Sequence, residues 1–335
     1  MNPLKENEIR PRDLAEGQKT GMAIDIGRML SMREKFVDVN CPACESNHSF
    51  KKYEKYYLDY HECRNCQTLY INPRPPAVVL DWFYKGSANY EYWNNYIFPA
   101  SEANRRSKIF VPRVNKVIEF CDKYNVNTGS LLEIGCAFGT FCIEMQSRKR
   151  FKKIVGVEPT PGLANTSRQK GIEVIEDVIE NIHFNESDCF DVVVNFEVIE
   201  HIFSPKDFIG NAKNLLKKGG LFIVTCPNGK GFDFTVLGDK CISMDHEHLN
   251  YFNPKSLASL LESNGFDVLE SITPGKLDAE LVRNKVLEGI FDINSQPFLK
   301  QILIDEWDSK GDSFQQFLID AGLSSNMWII ARKVS

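Results

Sequence analysis

The sequence predicts a doubly wound α/β sheet preceded by a small four-cysteine module. Three observations carry this reading. Short apolar runs alternate with helical patterns over the last two thirds of the chain. Two Cys-x2-Cys pairs stand close together ahead of them. A glycine-bearing turn follows the first run of the alternating region, and an acid ends the second.

The alternation is read element by element. A helix is predicted near 104–124, with Phe110, Val114, Val117, Ile118 and Cys121 on one face. Strands are predicted at 130–135, 153–158, 172–175, 190–195 and 220–226, each a short apolar run bounded by turn residues, as in a buried parallel sheet. The helix near 205–217 starts at Ser204-Pro205-Lys206-Asp207, a capping box with proline in the first turn, and is expected to stop at Gly219-Gly220. Another runs from Pro254 to Asn264, and strands at 266–273 and 327–334 follow. This is βαβ order.

Composition bounds the class. A chain of 335 residues, 43% hydrophobic and 25% charged, fits two domains or one large domain with an attachment. No apolar run approaches the roughly 20 residues of a membrane helix, so no membrane span is expected. The first thirty residues hold no apolar block, which predicts no secretory signal and a cytoplasmic protein. The net charge of −5 disfavours a nucleic-acid partner. Ten cysteines in such a chain point to metal ligation or free thiols rather than disulfides. Residues 1–36 read as a tail or docking arm, with a short helix over Met22–Met32.

Cys41-x2-Cys44 and Cys63-x2-Cys66 delimit a module over 37–75 that ends at Asn72-Pro73-Arg74-Pro75-Pro76. Two matched knuckles suit a tetrahedral four-thiolate zinc site of structural type. The competing readings are unrelated core thiols or a redox Cys-x-x-Cys. His48 and His61 lie nearby and read as surface or supporting residues. Residues 76–103 form an aromatic-rich segment, with Trp82, Phe83, Tyr84, Tyr90, Tyr92, Trp93, Tyr96 and Phe98 concentrated in it. Its tyrosines Tyr90, Tyr92 and Tyr96 suit stacking on a substrate, closing a site, or simple packing.

The turn after the first strand reads Glu133-Ile134-Gly135-Cys136-Ala137-Phe138-Gly139. Glycine there permits a tight turn and close ligand approach. Glu158 ends the second strand, where a carboxylate accepts from ribose hydroxyls. A nicotinamide-dependent enzyme is the competing reading, but G-x-G-x-x-G itself is absent.

Together with Phe190-Asp191-Val192-Val193-Val194 and Val198-Ile199-Glu200-His201-Ile202-Phe203-Ser204-Pro205, these motifs resemble class I S-adenosylmethionine (SAM)-dependent methyltransferases over 104–335. The resemblance implies a seven-stranded Rossmann-like sheet whose last strand, 327–334, enters antiparallel between two others. It places Glu133, Gly135 and Gly139 by the methionine part of the cofactor and Glu158 on the ribose. Asp177 receives the adenine amine, and Asn195 and Phe196 line the sulfonium side. Ala137 departs from the commonest form, which has glycine there, and one methyl is expected to be tolerated.

The segment Met244-Asp245-His246-Glu247-His248-Leu249-Asn250-Tyr251-Phe252 looks like that of zinc-ribbon sugar methyltransferases of deoxysugar and polysaccharide biosynthesis. That resemblance implies acid–base chemistry at Glu247-His248, with His201 as the alternative base. It implies a glycan or nucleotide-sugar substrate, and a departure from the family's pattern favours methylation on oxygen over carbon. The extra C-terminal domain of some C-methylating members is missing from 274–326. A methyltransferase for another small metabolite, quinone- or lipid-like, and a non-catalytic SAM-binding adaptor remain as alternatives.

Overall fold

A computed structural model of the chain describes residues 4–334. The strands in chain order are β1 (Ser49–Lys55), β2 (Leu58–Cys63), β3 (Leu69–Ile71), β4 (Ser130–Ile134), β5 (Lys153–Val157) and β6 (Glu173–Ile175). β7 (Phe190–Phe196), β8 (Leu216–Pro227), β9 (Asn250–Tyr251), β10 (Phe266–Ile272) and β11 (Asn326–Lys333) complete them. Seven form one sheet in the order β10-β11-β8-β7-β4-β5-β6. β11 is antiparallel to both neighbours, while β8, β7, β4, β5 and β6 run parallel, as expected from the sequence.

The two-residue period of the central strands divides the core into two layers. Leu132, Ile134 and Val193 pack with Phe208, Ile209, Leu257 and Leu261. Leu131, Val192 and Val194 pack with Val114, Val117, Phe120, Phe141 and Met145 on the other face. Every residue of β4 and β7 is buried, which is why both read as nearly continuous apolar runs.

The second sheet is antiparallel, in the order β1-β2-β3-β9. Its last strand comes from the segment after β8, nearly two hundred residues further along the chain: Leu69 pairs with Tyr251 and Tyr70 with Asn250. The four-cysteine module and the post-β8 segment therefore share one sheet. A third apolar cluster seals the junction, with Leu58, Tyr60, Leu69 and Ile71 against Tyr251, Phe234 and Leu303.

Four local expectations are corrected. The N-terminal helix spans Ala15–Leu30 rather than Met22–Met32, because its Gly21, Asp25 and Met29 bury against the aromatic segment. The helix from Pro205 ends at Asn214, since Leu216 already pairs with Phe190 in the sheet. The Ser204 hydroxyl donates to the Asp207 carboxylate at 2.6 Å and makes no capping bond to the helix backbone, so the expected capping box is not formed. The helix expected near 104–124 belongs to a helical run from Ala88 to Lys123. Pro99 and Pro112 do not break it because each follows a π turn, Trp93–Ile97 or Arg106–Phe110, where the missing N–H is tolerated. Among the described residues no helix is long and apolar enough to cross a membrane.

Candidate active site

The carboxyl ends of β4, β5 and β7 carry the motif residues, on the side where open α/β sheets place ligands. The turn after β4 is held by Gly135 N–H and Cys136 N–H, which both donate to the Val157 carbonyl, at 2.8 and 3.0 Å. Gly135 has φ +77°, and a Cβ there would meet Val198 at 2.4 Å, so glycine is required twice over. Ala137 also sits in the left-handed region, at φ +45°, so its methyl is tolerated at the cost of backbone strain.

Glu158 is buried, and its two oxygens accept from Ala137 N–H (3.0 Å) and Thr160 N–H (2.9 Å). Burial nonetheless pushes its carboxyl above the usual range. Asp177 lies past the end of β6, with Oδ1 accepting from Val178 N–H and Asn181 Nδ2, both at 2.8 Å. Glu133 is buried, and its hydrogen-bond partner is the thiol of Cys142 at 3.0 Å, a weak donor. Burial drives its carboxyl up to about 8 against the pull of Cys142 and Arg113.

A cavity of about 610 Å³ opens here, with Glu133, Gly135, Phe138 and Phe196 on its wall. Gly139, Glu158, Asp177 and Asn195 are not on that wall. Asn195 is fully buried, its Nδ2 donating to the Ile134 carbonyl at 3.3 Å, and so does not face the cavity alongside Phe196. Phe98 stacks on Phe138 at 3.5 Å between centroids, laying the aromatic segment over the glycine turn. Leu4, Ile9 and Arg10 of the N-terminal arm also reach the cavity.

The structure brings the three predicted catalytic residues together. The His201 and His248 rings meet edge to face at 4.6 Å. His201 Nδ1 lies 3.1 Å from the Glu247 carbonyl and 3.2 Å from the Tyr84 hydroxyl. His248 Nδ1 lies 2.9 Å from the carbonyl of Ser243, itself on the cavity wall. Burial, with His248 adding, drives His201 down to about 3, so its ring stays neutral at ordinary pH. Glu247 accepts from Asn89 Nδ2 at 3.0 Å, and burial with Asp245 beside it raises its carboxyl to about 8. His246 is fully enclosed with neither ring nitrogen hydrogen-bonded, a packing residue against Phe83.

Several residues that complete the site escape sequence reasoning. Asp25 accepts from Ser87 Oγ (2.6 Å), Ala88 N–H (2.9 Å) and Asn89 N–H (2.9 Å), so the N-terminal arm sets the segment that carries Asn89 and Tyr90. Arg74 is fully buried and donates to the Phe203 carbonyl and Asn250 Oδ1, each at 3.1 Å. Asn250 Nδ2 in turn reaches the carbonyls of Ile199, Glu200 and Ile202. The four-cysteine module thereby braces the turn that presents His201. Glu197 lines the cavity at φ +56°, with Oε1 accepting from Thr225 Oγ1 at 2.6 Å and Asn326 Nδ2 at 3.0 Å.

Residues 103–271, just over half of the chain, match the methyltransferase domain family. The chain belongs to that family. Its sheet order, with the last strand antiparallel and inserted, is the class I SAM-dependent methyltransferase fold. The chain is 26% identical over 163 residues to a mitochondrial ubiquinone biosynthesis O-methyltransferase of Dictyostelium discoideum, covering 42% of this chain and 50% of that one. It is 25% identical over 154 residues to a ubiquinone biosynthesis O-methyltransferase of Bartonella tribocorum, covering 42% and 62%. The match thus spans half to three fifths of these relatives' length. Among solved structures, a SAM-dependent methyltransferase from Clostridium acetobutylicum superposes with a TM-score of 0.48 at 13% identity, covering 72% of this chain and 99% of that one.

The sulfurs of the cysteine module converge as well. Cys41 Sγ and Cys66 Sγ lie 3.4 Å apart, Cys44 Sγ and Cys63 Sγ 3.6 Å apart, and all four fall within 4.8 Å of one another. A tetrahedron of thiolates at about 2.3 Å from an ion has edges of about 3.8 Å, so the quartet fits zinc.

Proposed function

We propose that this chain transfers the methyl group of SAM to a hydroxyl oxygen of a small molecule, with a sugar hydroxyl as the first candidate acceptor. The observation that carries the reading is one cavity that has the glycine turn on its wall and reaches the loop behind the histidine pair through Ser243, while His201, Glu247 and His248 stand off the wall. Glu133, Gly135 and Phe196 stand on its wall, and so does Ser243, whose carbonyl holds His248. Glu133, Gly135 and Gly139 would hold the methionine portion of the cofactor, Glu158 its ribose and Asp177 its adenine, while Phe196 faces the sulfonium. The Glu133 carboxyl suits that role, being buried with a weak donor and able to receive an ammonium group. Bound SAM supplies a methyl group already activated on a sulfonium.

The protein's own task is to align the acceptor oxygen, exclude water and remove a proton. The aromatic segment covers the glycine turn through Phe98 on Phe138. The acceptor proton leaves at the His201–His248 pair, with Glu247 fixing the surrounding loop through Asn89. Cys41, Cys44, Cys63 and Cys66 would hold a structural zinc, whose four thiolates leave no open position for chemistry.

The sugar reading rests on the Asp245–Phe252 segment and the cysteine module. A quinone-precursor hydroxyl is the second reading, favoured by the names of the two relatives above. Calorimetry with SAM, followed by methyl-transfer assays on nucleotide sugars and on catechol-type phenols, separates them. Transfer to a sugar hydroxyl supports the first reading, and transfer to the phenols alone replaces it with the second. Failure to bind SAM contradicts both.

A further inference from the structure

We infer that Glu200, His201 and His248 form a binding site for one divalent transition-metal cation, which holds an acceptor bearing two adjacent oxygens. This rests on the methyl-transfer reading above and deepens it. One ligand atom from each of the three residues lies within 4.8 Å of the others. Two imidazoles and one carboxylate are a donor set suited to first-row divalent ions, and three protein ligands leave positions open for an acceptor.

Two further observations point to a cation. Glu200 is 1% exposed, and neither carboxylate oxygen has a hydrogen-bond partner among the described residues. A buried polar group without a partner is expensive and calls for an explanation, an ion among them. Each histidine also has its Nδ1 against a main-chain carbonyl, Glu247 for His201 and Ser243 for His248. A carbonyl only accepts, so Nδ1 carries the proton and the lone pair stays on Nε2. Metal-binding histidines are oriented in this way.

The place of the site gives the ion a use. It lies at the turn after β7, next to the cavity through Glu197 and Ser243. An acceptor chelated through two adjacent oxygens, as in a vicinal diol or a catechol, has its hydroxyl acidified by the ion. With both imidazole lone pairs on the ion, the proton passes to solvent, and this replaces the base role given to the pair above while keeping the acceptor at the same place. The oxygen then forms its bond to the methyl carbon as the S–CH3 bond breaks, and the electron pair of that bond goes to sulfur, leaving a neutral thioether. His248 is then essential as a ligand that positions the ion.

The test uses the full chain as purified, with any ribbon metal counted first by elemental analysis. Mn2+ and Co2+ are titrated by calorimetry, and Co2+ also by visible absorption. The expected result is one additional ion per chain, with no thiolate charge-transfer band. Glu200→Gln and His248→Asn should each weaken it by more than the roughly 10–100-fold that loss of an outer-shell partner costs, with SAM affinity unchanged. Should Glu200→Gln not fold, His248→Asn, at a side chain 17% exposed, decides alone. No additional ion, or binding unaltered in the folded variants, overturns the inference. SAM binding without ion binding overturns it while leaving the proposed function standing. Ion binding without SAM binding supports the metal site and contradicts the proposed function.

Discussion

The two groups of candidate residues around the cavity are built differently. On the glycine-turn side, Glu133, Gly135, Ala137 and Glu158 lie within one βαβ unit, and the Ala137–Glu158 bond spans 21 residues. On the acceptor side the contacts are remote in sequence. His201 and Glu247 are 46 residues apart, Asn89 and Glu247 158, and Arg74 and Asn250 176. With the N-terminal arm that holds Asn89 through Asp25, five segments must come together before that side exists. The proposed cofactor side is thus a local motif, whereas the proposed acceptor side is a product of tertiary assembly and is braced by the cysteine module.

The sharpest way to break this contrast is to remove the module's metal. Cys63→Ser is expected to lose the ion, whose apparent binding energy in such sites is on the order of 10–16 kcal/mol. Because β3 and β9 share a sheet, the loss should reach Asn250 and the His201 turn and abolish turnover, while the seven-stranded sheet stays folded and SAM still binds. Elemental analysis, circular dichroism and SAM titration check this. A wild-type chain without tightly held metal would sink it.

A change confined to the cofactor side should do the converse. Glu158→Ala removes charge-assisted hydrogen bonds to ribose worth roughly 1.5–3 kcal/mol each, weakening SAM binding by about ten- to a hundredfold. Calorimetry on the folded variant measures it, and an unchanged dissociation constant would place the ribose elsewhere.

Glu133 gives a smaller, pH-dependent effect. Its carboxyl titrates at about 8 in the free site, so it is protonated at pH 7. A bound cationic ligand favours the carboxylate, so SAM binding at pH 7 should release a proton. Affinity should then rise with pH until about 8 and level off. Titrations in buffers of different ionisation enthalpy detect the proton, and Glu133→Gln should abolish its release.

The smallest effect concerns Ala137. Its left-handed backbone costs an L-residue roughly 1–2 kcal/mol, partly offset in glycine by chain entropy. Ala137→Gly should therefore stabilise the fold by up to about 1 kcal/mol, read by chemical denaturation. A loss of stability would show that the methyl packs favourably.

The parallel sheet was legible because β4, β5, β7 and most of β8 are buried apolar runs closed by turn residues, and the place of β11 followed from the family resemblance. The cysteine quartet was legible from spacing alone. Ala137 was read as a matter of one methyl, since left-handed backbone is not visible in an alanine. The end of the helix at Asn214 was hidden because Leu216–Lys218 fit either helix or strand, and pairing with Phe190 decides. Asp25 and Arg74 looked like ordinary charges in a tail and a proline-rich boundary. Only tertiary contact buries them, to 0% exposure, as the braces of the acceptor side. Glu200 stood in a quoted motif, but its missing hydrogen-bond partners are a property of the fold.

The central claim is that two separable tasks meet at the cavity, SAM binding at the glycine turn and activation of the acceptor hydroxyl at His201 and His248 behind Ser243. His248→Gln tests it most directly, by SAM calorimetry and turnover on the same preparation. The account predicts an unchanged SAM dissociation constant and turnover lowered by roughly 10²–10⁴-fold. Near-normal turnover in the folded variant would contradict it, as would a loss of SAM binding equal to the loss of activity.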